Sequence, residues 1–355
     1  MDKFKIESHK LGYHAERVND WLKGKRTYPI YLEIAPSGAC NHRCTYCALD
    51  FMEYKPAFLE TDLIKKRISE MALLGVKSIM FAGEGEPLLH HDIADIVAHT
   101  KNAGIDVAIT TNGVLLKKES SERILANVTW LKVSMDAASQ AVYQKIHNAH
   151  PDDFNEVIKN ISDAVTLRER KKHKCTLGIQ LLLLPENSGE IMKLVKRAKA
   201  LGVDYVVIKP YSYHPFTRTN RYKNVDYKKW LPLSDAFDNL NTDKFNVIFR
   251  AKTMRKWNSR FRGYKLCYAL PFWAYIDARG NVWGCSTYLT DNRFLYGNIH
   301  TGTFQKIWND SEDRRAMIMA GRNFDIKHCR INCRMDEANQ YLWELKNPSR
   351  HVNFI

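Results

Sequence analysis

Three cysteines occupy 40-CNHRCTYC-47, spaced C-x3-C-x2-C, with Tyr46 just ahead of the last. Three thiolates (Cys40, Cys44 and Cys47) are one short of the closed tetrahedral set that a structural zinc takes. They suit an iron–sulfide cubane in which three irons are held by protein. The fourth iron then keeps an open position for a small molecule, much as a three-ligand zinc leaves room for substrate. A zinc completed by a neighbour such as His42 is the competing reading of the same residues. Four further cysteines, Cys267, Cys285, Cys329 and Cys333, lie near the end of the chain. The stretch 271-PFWAYIDARGNVWGC-285 reads as two short strands about an Arg-Gly-Asn turn, a hairpin that returns the flanking thiols to one place. On spacing alone, those four fit a structural zinc and a fully ligated cluster equally well. Cys175, alone at the start of a strand, reads as a buried small hydrophobe. Eight cysteines in a chain whose start, MDKFKIESHK, lacks the apolar core of a signal peptide argue for metal over disulfides.

Residues 30 to about 210 supply the elements that must position this chemistry. Short apolar runs at 30–35, 78–83, 106–111, 130–135, 176–184 and 204–209 predict strands. Amphipathic stretches at 61–75, 91–104, 152–165 and 188–202 predict helices. Three of these helices close alike, in 75-GVKSIMF-81, 104-GIDVAIT-110 and 202-GVDYVVI-208, where glycine ends the helix and a strand follows at once. Strands joined by helix-length connections form a parallel sheet. The first cysteine triad follows the first strand, at the carboxyl edge where such sheets bind ligands. Beyond residue 210 the chain turns aromatic and basic, with weak helical periodicity. It reads as an N-terminal extension (1–29) with one helix candidate at 14–24, a sheet domain (30–225), a connecting segment (226–265), a small cysteine-bearing α+β module (266–335) and a C-terminal helix and tail (336–355).

With the motifs quoted, the chain resembles the radical S-adenosylmethionine (SAM) superfamily, whose signature is C-x3-C-x2-C with an aromatic before the last cysteine. The resemblance runs on through 83-GEGEP-87, 110-TTNG-113 and 134-SMDA-137, each at a strand end. It implies a partial (β/α)6 barrel, a [4Fe–4S] cluster on Cys40, Cys44 and Cys47, and SAM bound at its open iron. Tyr46 would lie near the adenine. Glu86, with the backbone at Gly85, would take the ammonium, and Asn112 and Ser134 would face the ribose or carboxylate. His147 stands where related enzymes often carry an arginine for the carboxylate. The spacing C-x(9–15)-G-x4-C at Cys267, Gly280 and Cys285 resembles the SPASM and twitch modules of the same superfamily. It implies a second [4Fe–4S] cluster on Cys267, Cys285, Cys329 and Cys333, with no open iron and a role in electron transfer. The closing C-x3-C departs from the commoner C-x2-C, and the cysteine count matches the one-cluster twitch form. Such enzymes cleave SAM to a 5′-deoxyadenosyl radical that removes a hydrogen atom from the substrate.

Composition bounds the partners. Apolar residues make up 45% and charged residues 26%, ordinary for a globular protein, and no apolar run reaches the roughly 18 residues of a membrane span. A cytoplasmic enzyme is expected, with a reducing partner such as flavodoxin or ferredoxin. The net charge of +15 gathers at 168–174, 218–229 and 250–265. It fits a solvated surface, or a substrate that is phosphate-bearing or nucleotide-linked. The expected reaction is oxidation (dehydrogenation) of a sugar-like or aminocyclitol small molecule, or its epimerisation if a thiol such as Cys175 returns a hydrogen. A SPASM-type peptide or protein maturase and an RNA-modifying enzyme are the alternatives.

Overall fold

The computed structural model describes residues 3–259 and 261–354. Each apolar run forms a strand: β1 (Tyr31–Ile34), β2 (Ser78–Phe81), β3 (Asp106–Thr111), β4 (Trp130–Ser134), β5 (Thr176–Leu183) and β6 (Tyr205–Pro210). Gly75, Gly104 and Gly202 close their helices with φ of +83°, +82° and +81°, a conformation that glycine adopts without a Cβ clash. The chain is thereby set back to the same edge each time. β1 through β6 lie side by side in sequence order, all parallel.

Four more strands extend this sheet. The connecting segment, expected to show only weak helical character, contributes β7 (Asn246–Phe249), parallel to β6. The expected hairpin forms as β8 (Trp273–Ile276) and β9 (Asn281–Trp283), and β10 (Leu295–Asn298) follows antiparallel to β9. β8 also pairs in parallel with β1, so module and barrel share one ten-stranded sheet, ordered β10-β9-β8-β1-β2-β3-β4-β5-β6-β7. Its two edges stay apart: the barrel is partial, not closed.

The two faces of each strand serve different ends, as the period of two requires. Leu32, Ile34, Ile79, Phe81, Val107 and Ile109 point to the helices and are fully buried, each contributing about 2 kcal/mol of apolar burial. Their neighbours Glu33, Met80, Thr110, Lys132, Gln180 and Lys209 point inward and line a cavity. The N-terminal extension holds its helix (Ala15–Leu22) and also sends Phe4 and Ile6 onto Tyr205, Val207 and Ile248. The C-terminal helix (Asp336–Lys346) packs Ala338 and Leu342 with Trp21 and Phe272. Among the described residues no helix is long and apolar enough to cross a membrane.

Candidate active site

The cavity has a volume of about 520 Å³ and opens at the carboxyl ends of the strands. The cysteine loop leaves β1 and is fastened to the barrel by its own backbone. Gly38 N–H donates to Ala57 O (2.8 Å), Thr45 N–H to Ile146 O (2.8 Å) and Arg43 N–H to His147 O (3.1 Å). The last two cap the final turn of the helix Gln140–His147, whose carbonyls lack partners within the helix. Cys40, Cys44 and Cys47 all line the cavity and form no disulfide. Burial pushes the Cys40 thiol up to about 12 and raises Cys44 and Cys47 as well. Each sulfur nonetheless meets a polar partner: His42 N–H for Cys40 (3.5 Å), His147 Nδ1 for Cys44 (3.3 Å) and the Tyr54 hydroxyl for Cys47. Half-buried thiols that each face a polar partner are suited to hold a cation as thiolates, and three of them on one open loop fit a cubane with a free corner. The zinc alternative finds less. Ligand atoms of His42, Cys44 and His147 do lie within 4.8 Å of one another, but that trio includes one thiol of the three.

The strand-end motifs converge on the same loop. Glu86 N–H donates to Ala39 O (2.8 Å), and a Cβ on Gly85 would stand 2.3 Å from the carbonyl oxygens of Ser37 and Ala39, so only glycine allows this approach. The Glu86 carboxylate accepts from Thr111 Oγ1 (2.6 Å), Leu88 N (3.0 Å) and Asn112 N (2.7 Å), tying β2 to β3, although burial raises its pKa. Asn112 Nδ2 reaches Asn41 Oδ1 at 2.7 Å. Ser134 lines the cavity, and Tyr46 donates its hydroxyl to Asp136. His147 is the residue whose surroundings differ from expectation. Its Nε2 accepts Asp136 N–H (3.2 Å) and lies 3.5 Å from the Asp136 carboxylate, and its Nδ1 faces Cys44, so both ring nitrogens meet groups of the protein itself.

The second cysteine set also comes together. Cys267, Cys285, Cys329 and Cys333 line one small pocket, with Thr287 N–H on Cys285 (3.4 Å) and Asn339 Nδ2 on Cys267 (3.6 Å). Burial pushes Cys267 up to about 12 and Cys285 up to about 11. Cys333 borders the main cavity too, so the two cysteine stations face one space. Cys175 is elsewhere: buried in the main core just before β5, about 25 Å of strand away from the carboxyl edge. That position suits a small hydrophobe and keeps the thiol off the cavity.

Sequence reasoning missed the cations inside the barrel. Lys132 on β4, Lys209 on β6, Arg250 just past β7 and Arg334 just past Cys333 all line the cavity. The signal was present as a charged residue inside otherwise apolar strands, WLKVS and YVVIKP, but alternation alone does not say which face is enclosed. The basic surface stretches, by contrast, place several of their cations in ion pairs. Arg168 meets Asp204, Lys171 meets Glu122, Arg218 meets Glu53, Arg221 meets Glu186, Lys252 meets Glu337 and Lys256 meets Asp336. Arg260, in the third stretch, lies outside the described residues.

Comparison with known proteins agrees with this geometry. Residues 34–208 match the Radical SAM superfamily and residues 267–334 the SPASM iron-sulfur cluster-binding domain. A GTP 3′,8-cyclase of Chlorobaculum tepidum is 32% identical over 215 residues, 59% of this chain and 62% of that protein. One from Stenotrophomonas maltophilia is 38% identical over 133 residues, 36% of this chain and 40% of the other. The matched region thus spans about half the length of these relatives. Among solved structures, Streptococcus suis SuiB bound to S-adenosylmethionine superposes with a TM-score of 0.66 at 19% identity, covering 88% of this chain and 72% of SuiB. The anSMEcpe enzyme with bound AdoMet gives 0.63 at 17% identity, covering 90% and 95%. At those identities the likeness is one of fold.

Proposed function

This chain belongs to the radical SAM superfamily and carries a SPASM domain behind its partial barrel, and from that membership we propose that it dehydrogenates a small, polar, sugar-like molecule held in the barrel cavity. Two [4Fe–4S] clusters and SAM are its cofactors; when bound they supply a 5′-deoxyadenosyl radical that takes one hydrogen atom, and a one-electron acceptor beside the cavity. Cys40, Cys44 and Cys47 would hold the first cluster, and Cys267, Cys285, Cys329 and Cys333 the second. Gly85, Glu86, Asn112 and Ser134 would shape the seat of the cosubstrate, with Tyr46 fixed beside it by Asp136. The apolar layer outside β1–β6 keeps water from the reacting centre.

One observation carries the choice of reaction. Among the described residues every cysteine on the cavity belongs to one of the two iron–sulfur sets, and Cys175 is remote. No thiol is left to return a hydrogen atom, which favours net oxidation over epimerisation. The substrate would then lose a hydrogen atom, a proton and an electron, leaving a carbonyl. A peptide substrate is the second reading, supported by SuiB having been captured with its precursor peptide SuiA; a cavity whose inner wall carries four cations favours the small molecule.

The test is direct. Anaerobically reconstituted protein should hold about eight irons and, with SAM and dithionite, release 5′-deoxyadenosine. A polyol or aminocyclitol deuterated at the carbinol carbon should pass its label into the 5′-deoxyadenosine and gain a carbonyl. Protein with full iron content that leaves SAM intact would overturn the assignment.

A further inference from the structure

The cations on the inner wall come from both sides of the barrel. Lys209 and Arg250 stand side by side at the carboxyl ends of β6 and β7, where Arg250 N–H donates to Ile208 O (2.9 Å). Lys132 stands on the inner face of β4, in register with Gly178 of β5, over which the Tyr205 ring packs. Arg334 enters from the opposite side, beside β1, with Nη2 2.8 Å from Glu33 and Nη1 3.0 Å from the Tyr31 hydroxyl.

The carboxylates on the same cavity are already engaged. Glu33 faces Arg334, Glu86 holds Thr111 and Asn112, and Asp336 and Glu337 face Lys256. Among the described residues neither Lys132 nor Lys209 has a carboxylate within ion-pairing distance. A cavity wall with that excess of positive charge and a dry backing is poised for an anion.

We propose that Lys132, Lys209, Arg250 and Arg334 form a cradle for a phosphate group of the substrate. The proposal rests on the reading of this cavity as the substrate site and narrows it to phosphate-bearing molecules, a sugar phosphate or a nucleotide. Two ammonium groups and the Arg250 guanidinium, with Arg334 adding positive charge while it holds Glu33 and Tyr31, match a group with two or more charges and several terminal oxygens better than a single carboxylate. The electrostatics agree. Burial, then Arg334 and Arg250, brings Lys132 down to about 7, and burial, then Lys132, holds Lys209 well below its usual range. An entering phosphate would relieve that mutual repulsion and recharge both lysines. Anchored there, the phosphate would leave the rest of the molecule reaching toward the cysteine triad, which borders the same space.

The experiment titrates inorganic pyrophosphate into the anaerobic holoenzyme saturated with SAM and follows binding by calorimetry. Wild type should bind, and Lys132→Met and Lys209→Met should each weaken binding at least tenfold. Lys132→Arg, which keeps the charge, should stay within about threefold. Lys306→Met, on the exposed surface beside Asp310, should change nothing. All variants should keep their iron and their SAM affinity. Equal pyrophosphate binding in wild type and both methionine variants overturns the cradle. So does a parallel loss of SAM affinity, which would assign the cations to the SAM carboxylate. Reductive SAM cleavage without any added phosphate compound reports on the radical assignment separately, so the cradle can fail while that assignment stands.

Discussion

His147 Nδ1 lies 3.3 Å from Cys44 Sγ, and its other nitrogen receives the backbone N–H of Asp136. Since Nε2 accepts, the ring proton belongs on Nδ1 and points at the sulfur. Burial keeps the imidazole neutral. The histidine is therefore a hydrogen-bond donor to the sulfur of Cys44, which is proposed to hold the first cluster, and such contacts tune metal sites from outside the ligand shell.

Replacing it removes electron-withdrawing support from the thiolate. His147→Phe should lower the midpoint potential of the first cluster by on the order of tens of millivolts, read by EPR-monitored redox titration. SAM affinity should stay within a few-fold. A large loss of SAM affinity at unchanged potential would return His147 to the carboxylate-binding role expected from its position in the sequence.

Gly85 sets the distance between the glutamate turn and the cysteine loop. Gly85→Ala places a methyl 2.3 Å from two carbonyl oxygens, and backbone must move to admit it. The variant should lose about 2 kcal/mol of stability and most of its SAM binding, measured by thermal melting and equilibrium dialysis. Wild-type values for both would mean that the loop is not seated against this turn.

Glu84 offers a pH-dependent signature away from the clusters. Burial, then the charge of Asp277, raises its carboxyl to about 7, while Ala278 N–H and Arg279 oppose the rise and one oxygen stays buried without a partner. The folded chain thus holds this proton more tightly than the unfolded chain does. The resulting stability is complete below the unfolded value near 4.5 and is lost as pH rises through about 7. Glu84→Gln should accordingly be more stable than wild type by about 2 kcal/mol at pH 8 and indistinguishable from it near pH 4.5, by denaturant titration at each pH. An advantage that is equal at both pH values would contradict this account.

The two cysteine stations should separate on mutation. Cys333→Ala should drop the iron content from about eight to about four per chain. Slow reductive SAM cleavage without substrate should persist, while oxidised product should disappear. Loss of all iron would show that the stations assemble as one.

Much of this was readable beforehand because the chain repeats itself. Six β-branched runs, three of them preceded by a glycine that can only close a helix, leave few alternatives to a parallel sheet, and the cysteines fall at its carboxyl edge. β7 escaped because 246-NVIF-249 is four residues long and follows a stretch without periodicity. The helix Gln140–His147 escaped because it is barely two turns long, and with it went the true setting of His147. Lys132 and Lys209 were visible as letters but not as neighbours: alternation puts them on the polar face, and only the curl of the sheet makes that face an interior.

The parallel pairing of β8 with β1 runs over four rungs, from Tyr31 and Trp273 to Ile34 and Ile276. Because of it, the spacing between the two iron stations is a matter of hydrogen-bonded backbone, not of a tether. A chain truncated after residue 265 would bare the donors and acceptors of β1 along a new sheet edge, inviting self-association. The barrel is therefore no detachable engine; each half supplies a wall that the other needs in order to stand.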